Sequence, residues 1–200
     1  MKRLLIFLLF IITGGAVLAD GEAHRPTWGL ATSPDTVTLK VDGKTAYYQN
    51  TVIVDSVSER IIYLRAIQFM ASKNFQQNYG YQEEGKLIFT TAQDLNVNPT
   101  YVGDDNDIVD PYTVQFSLIL DIKNHSYRYT ISNVIFFRPT DNGNRRETLY
   151  DIHLKESDND SRRIAKYATK LIASFEKYLD SLLAELYQGI EQKSPVYSKF

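Results

Sequence analysis

The sequence predicts an α+β fold: an antiparallel sheet of five or so strands with two helices on one face, in the order β-α-β4-α. Three observations predict it. Residues 112–122 alternate apolar and polar side chains with a period of two. Residues 56–75 and about 162–192 return apolar side chains every three or four positions. Between those helical stretches, turn signals separate runs rich in β-branched and aromatic residues, and one face of each run is apolar.

Taken in order, the 200 residues begin with Lys2 and Arg3, an apolar run over 4–12 and Val17-Leu18-Ala19. That is the pattern of a secretory signal over 1–19, with cleavage before Asp20. A retained anchor is the alternative reading. A periplasmic or secreted protein with no membrane span after cleavage is therefore expected. The chain has no cysteine, so disulfides, thiol catalysis, cysteine–zinc sites and a lipidated cysteine have no residue to form on. Without 1–19, 20 basic residues face 24 acidic ones, a net charge of about −4. This balance opposes binding to a phosphate backbone, so no nucleic-acid partner is expected.

Residues 20–44 hold Pro26, Gly29, Pro34, Asp42-Gly43 and the only tryptophan, Trp28, and read as an N-terminal arm. Within it Val37, Leu39 and Val41 suit a short edge strand. The domain proper is expected over 45–192, with 193–200 as a tail. Residues 47–54 make the first strand, rich in β-branched side chains. The helix over 56–75 follows, with Asp55 or Ser56 as cap and Ser56/Glu59 as a capping box. Ser58, Arg65, Gln68 and Ser72 share a narrow polar stripe, and the apolar remainder needs a sheet to cover it. A charge at Ile62 or Phe69 is expected to block folding.

Residues 79–82 and 86–91 flank Glu83-Glu84-Gly85 as a hairpin in which Gly85 can take a positive φ. Residues 94–111 show no period and read as a loop of unusual length. Residues 112–122 and 127–137 then pair across Lys123-Asn124-His125-Ser126. Tyr112, Val114, Phe116, Leu118, Leu120 and Ile122 face one way, with Ile119 the exception on the other face. In the returning strand Tyr127, Tyr129, Ile131, Ile135 and Phe137 are expected on the inner side. Asp141-Asn142-Gly143 turns the chain, and Thr148, Tyr150, Ile152 and Leu154 alternate as a further strand. The last helix, 162–192, would be about 45 Å long. Its far end is expected either to fray beyond Gly189 or to pack on a second copy, as a homodimer.

This order resembles a family of bacterial domains of unknown function with a TATA-binding-protein-like fold, found mainly in exported proteins of Bacteroidota. The carrying residues are Val52-Ile53-Val54-Asp55, Ser58, Ile62-Tyr63-x-x-Ala66-x-x-Phe69, Gly85-Lys86-Leu87-Ile88, Leu118-x-Leu120-x-Ile122-Lys123 and Tyr127-Arg128-Tyr129-Thr130. Phe69 stands where the family usually shows tryptophan. The resemblance implies the fold and an envelope address, and it carries no catalytic residue and no cofactor.

Few constellations suggest chemistry. Asp104, Asp105, Asp107 and Asp110 could supply oxygen ligands to calcium. Ile108 and Val109 break the EF-hand register, and a solvated acidic loop explains the cluster as well. Glu156, Asp158 and Asp160 suit a helix N-terminus. His24, His125 and His153 are scattered, and the pairs Arg145-Arg146 and Arg162-Arg163 read as solvated. Several of the 14 tyrosines fall on strands, by β preference or as interface residues.

Two functions follow. One is a non-catalytic module that binds an envelope protein or small ligand on an open sheet face carrying Gln115, Ser117, Asp121, Arg128, Thr130 and Ser132. The other is a hydrolase-type enzyme with its site near the acidic loop 104–110, using Asp104, Asp107 or His125.

Overall fold

The computed structural model describes residues 37–55, 57–97, 110–140, 143–157 and 161–191. The expected signal over 1–19, Trp28, His24, the cap residue Ser56, Asp104, Asp105 and Asp107 of the acidic loop, Asp158 and Asp160, and the tail over 193–200 lie outside them. Asp110 is described only as backbone.

The chain is α+β, with seven antiparallel strands and three helices among the described residues. The elements are β1 (Leu39–Asp42), β2 (Thr45–Ile53), α1 (Glu59–Ser72), β3 (Gln76–Tyr81), β4 (Lys86–Val97), β5 (Asp110–Lys123), β6 (Ser126–Thr140), β7 (Gly143–Thr148), α2 (Leu149–Glu156) and α3 (Arg162–Glu191). The sheet runs β1-β2-β6-β5-β4-β3. β2 pairs with the first half of β6 and β7 with the second half, so both lie along the edge that β5 leaves free.

β5 and β6 are the central hairpin. Their turn has two residues at positive φ, Asn124 at 41° and His125 at 61°, as a two-residue loop needs to match the twist of the strands. Val114, Phe116, Leu118, Leu120 and Ile122 are all buried on the helix side, as alternation predicts. β6 follows the predicted alternation only as far as Ser132. Two residues there, Asn133 and Val134, oppose the single Phe116, and Asn133 takes φ 53°. This bulge reverses the faces. Val134 and Phe136 turn into the core, and Ile135 and Phe137, expected on the inner side, lie on the opposite one.

α1 is shorter than its periodicity suggests. Its N-cap is Ser58, in extended backbone and without a side-chain cap, rather than Asp55 or Ser56. It ends in a left-handed Asn74, with Phe75 N–H donating to Met70 O at 3.0 Å and Asn74 N–H to Ala71 O at 3.1 Å. This reciprocal pattern closes a helix and drops the next apolar residue onto it. Phe75 is accordingly buried beyond the helix, edge-on to Phe116 at 5.8 Å. Ile62, Tyr63, Ala66 and Met70 form the covered face, and Ile61 and Leu64 stay exposed.

Residues 149–154 are not a strand but part of α2. Thr148 and Asp151 form a capping box, with Thr148 N–H donating to Asp151 Oδ2 at 3.0 Å and Asp151 N–H donating to Thr148 Oγ1 at 3.1 Å. These bonds hold the Asp151 carboxyl below its ordinary range. The apolar residues buried in α2 are Leu149 and Ile152, three apart, and Leu154 is exposed. The strand before it is β7. The presumed loop 94–111 is also shorter, because β4 continues to Val97 with Leu95 and Val97 buried.

α3 lies across the sheet on Phe175. Its ring meets Tyr48 at 6.0 Å, Phe116 at 5.6 Å and Phe136 at 5.6 Å, from three strands, mostly edge to face. The far end of α3 stays helical past Gly189, to Glu191. It packs on α1: Gly189 leaves room for Phe69, whose ring would stand 3.3 Å from a Cβ there, and Arg65 Nη1 donates to Ile190 O at 2.5 Å. Lys73 pairs with Glu185 farther along the same seam. All three helices therefore lie on one face. The expected edge strand is β1, and Val37 N–H anchors it by donating to Asp180 Oδ1 of α3 at 3.0 Å.

One carboxylate is placed unfavourably. Glu176 of α3 is half-buried beside Tyr48, with Asp180 and Glu156 near. Desolvation raises its pKa, the two neighbouring carboxylates raise it further, and the Tyr48 hydroxyl offsets part of this. The folded state thus holds the Glu176 proton more tightly than the unfolded chain does. The favourable contribution exists when Glu176 is protonated and is lost as pH rises through its raised pKa. Glu176→Gln is expected to raise the melting temperature near pH 7, with the gain fading as pH falls to about 4, below the ordinary glutamate pKa. Thermal melts across that range would show an equal gain at both ends if the carboxyl were unperturbed.

Candidate functional site

The face opposite the helices carries the six residues that the alternation selected. Its side chains lie in rows set by strand register. One row runs Thr51, Arg128, Asp121, Lys86 and Tyr81 across β2, β6, β5, β4 and β3. The next runs Gln49, Thr130, Ile119, Ile88 and Tyr79. The third runs Ser132, Ser117, Thr90 and Gln76. Beyond the bulge come Thr148, Ile135, Gln115 and Ala92. Most of these are partly exposed, because flat-sheet neighbours half-shield one another.

The polar groups are mutually engaged. Arg128 Nη2 donates to Asp121 Oδ2 at 2.9 Å, with both side chains about one third exposed. A pair in that setting contributes on the order of 1 kcal/mol and mainly orients the two groups. Gln49 Nε2 donates to Thr130 Oγ1 at 3.0 Å, and Asn78 Nδ2 to Thr90 Oγ1 at 3.0 Å. Asn133, at the bulge, reaches Ser117 Oγ at 3.4 Å. The face is thus a band of alternating charge, a band with Ile88 and Ile119 at its centre, and a band of hydroxyls and amides. Such a mixture suits a partner surface with both apolar and hydrogen-bonding groups.

Sequence reading selected Gln115, Ser117, Asp121, Arg128, Thr130 and Ser132 for this face, and the register brings all six onto it. It passed over Ile88, Tyr79, Ile135 and Phe137. Ile119 was the one break in the alternation of 112–122, and that break was the available signal for an apolar centre.

His125 has a structural role. Its Nδ1 lies 2.8 Å from Val57 O, and its carbonyl accepts Val54 N–H at 2.7 Å, so it ties the β5–β6 turn to the start of α1. It sits at the opposite end of β5 from Asp110, where the acidic loop rejoins the sheet, on the order of 40 Å along the strand. His153 lies in α2 rather than in a strand, with Nδ1 3.5 Å from Glu156 Oε2. Among the described residues no three His, Asp or Glu side chains converge as metal ligands, and no helix is long and apolar enough to cross a membrane. Arg145 and Arg163, one from each basic pair, meet on the helix side in a cavity that their sequence positions do not suggest.

Residues 48–137 match the family model described as "Domain of unknown function (DUF4468) with TBP-like fold". The structure is similar to a TBP-like protein from Parabacteroides distasonis, with a TM-score of 0.58 at 9% identity over 78% of this chain and 98% of that one. It is also similar to a DUF4468 family protein from Bacteroides ovatus, with a TM-score of 0.57 at 10% identity over 78% of this chain and 92% of that one. At such identity the likeness establishes the fold alone. No curated protein matches the sequence.

Proposed function

We propose, from the match of residues 48–137 to the family model of a domain of unknown function with TBP-like fold, that this chain is a non-catalytic binding module of the cell envelope. Its open sheet face takes the partner. The observation that carries this reading is the one-sidedness of the layers: three helices on one face, and none on the other among the described residues. The sequence pattern over 1–19 supports export to the periplasm or beyond. The partner is an envelope protein or a small ligand, with polar groups for the Arg128–Asp121–Lys86 row and apolar surface for Ile88 and Ile119. Acidity argues against nucleic acid on this face.

A Ser117→Lys/Thr130→Lys double variant tests it. Both side chains point away from the core, so the melting temperature should stay within a few degrees. Two ammonium groups in the middle of the face should reduce recovery of partners from envelope extracts by about tenfold or more. An unchanged set of partners, at unchanged yield, would overturn the assignment of this face.

A further inference from the structure

Three strands of the sheet pair with one neighbour only among the described residues: β1 with β2, β7 with β6 and β3 with β4. The free side of such a strand presents N–H and C=O groups to any other strand, and charged side chains are the usual protection. Two of the three edges have it. β1 is four residues long and carries Lys40 and Asp42. β7 carries Arg145, Arg146 and Glu147. β3 does not. Its six residues, Gln76-Gln77-Asn78-Tyr79-Gly80-Tyr81, include no charge and no proline, and all six are exposed. Tyr79 and Tyr81 are 41% and 47% exposed, at the margin of the open face. Their hydroxyls donate to Glu84 Oε2 at 2.9 Å and Glu83 Oε2 at 3.2 Å, which holds the rings beside the turn. Gly80 has no positive φ to require it, and a glycine inside a strand marks a place where another backbone approaches. The bulge at Asn78 is the one protective device on this edge, and it bends the strand without charging it.

We propose that β3 pairs with β3 of a second copy of this chain, antiparallel about a twofold axis, and joins the two sheets into one. Charge selects both the occupant and the direction. Six uncharged residues meet six uncharged residues, so no like charges oppose one another along the ladder. The nearest charges along the chain are Lys73 before the strand, held by Glu185, and Glu83 and Glu84 after it. Antiparallel pairing sends the two Glu83-Glu84 turns to opposite ends of the ladder, about 20 Å apart. Parallel pairing would set the four carboxylates side by side. The twofold axis stands perpendicular to the sheet, so both copies present their open faces on the same side, with Tyr79 and Tyr81 of each along the seam. A ladder of this length buries well under about 1,200 Å², the range of weak encounters, so the dimer is a reversible one. The contact uses an edge rather than a face, so it stands or falls apart from the open-face reading.

Sedimentation equilibrium of the full chain tests it. The mass should rise from that of one chain, 22.9 kDa, toward twice that value as concentration increases, with Kd on the order of 100 µM. Tyr79 lies near the middle of β3, so the residue and its twofold mate come close. Tyr79→Lys should therefore weaken the dimer by about tenfold or more, through two ammonium groups beside the axis. Its melting temperature should stay within a few degrees of wild type, because the side chain is exposed. Tyr79→Glu should weaken self-association in the same way. An equal mixture of the two variants should regain association to within about threefold of wild type, because opposite charges then meet across the seam. A mass of one chain up to about 1 mM, a dimer that Tyr79→Lys leaves unchanged, or a mixture that stays at the mass of one chain would overturn the pairing. A mass that climbs beyond two chains would overturn the twofold arrangement, since it marks a contact that does not close.

Discussion

Phe175→Ala is expected to destabilise the domain by about 3–5 kcal/mol and to lower its melting temperature by about 10–15 °C. The ring is fully buried and touches aromatic residues of β2, β5 and β6 together. Truncation removes the burial of the ring and its edge-to-face contacts. The space left behind cannot collapse, because Tyr48, Phe116 and Phe136 are held by the sheet ladder. Urea unfolding of wild type and variant gives the difference directly. A loss under about 1 kcal/mol would mean that α3 is held elsewhere, by its seam with α1. Phe175→Leu should recover part of the loss, since it refills volume without restoring ring contacts.

Ile62→Asp should do more, and is expected to prevent cooperative folding altogether. Ile62 is fully buried in the covered face of α1. A carboxylate there would either ionise without a partner or carry a proton at a large shift in pKa, and each route costs several kcal/mol. Domains of this size are stable by about 5–15 kcal/mol in all, and the substitution also removes the isoleucine's own burial. Far-UV circular dichroism with a thermal melt checks it. A soluble variant melting cooperatively near wild type would show that α1 is not part of the core. Phe69→Asp should be milder than the sequence suggests. Phe69 is only partly buried, at the α1–α3 seam over Gly189, where an introduced carboxylate can turn toward water.

The open face was legible because it rests on a local rule. Ser117 and Asp121, or Thr130 and Ser132, share a face through the period of a strand, whatever their neighbours do. The rule failed where the ladder changed. Asn133 adds a residue opposite Phe116, which sent Ile135 and Phe137 to the other side. Nothing in the run Ser132-Asn133-Val134-Ile135 marks that bulge, because it is a property of two strands in register. At residues 148–154 two local signals conflicted. The alternation of Tyr150, Ile152 and Leu154 suggested a strand, and Thr148-x-x-Asp151 is a helix-start signature. The cap won, since it satisfies backbone donors at once and Leu149 and Ile152 reach the core at helical spacing.

By itself the sequence determined the α+β class, the strand faces up to the bulge and the long amphipathic last helix, because each follows from the geometry of a single element repeating every two or 3.6 residues. Only the tertiary structure decided that the far end of α3 is covered by α1, that His125 ties a turn, and that Arg138, Arg145, Lys155 and Arg163 surround one cavity. The physical reason is that convergence depends on how separate elements dock. Docking is set by side-chain packing across the chain, of which the Phe175 cluster is the clearest case, and no local period encodes it.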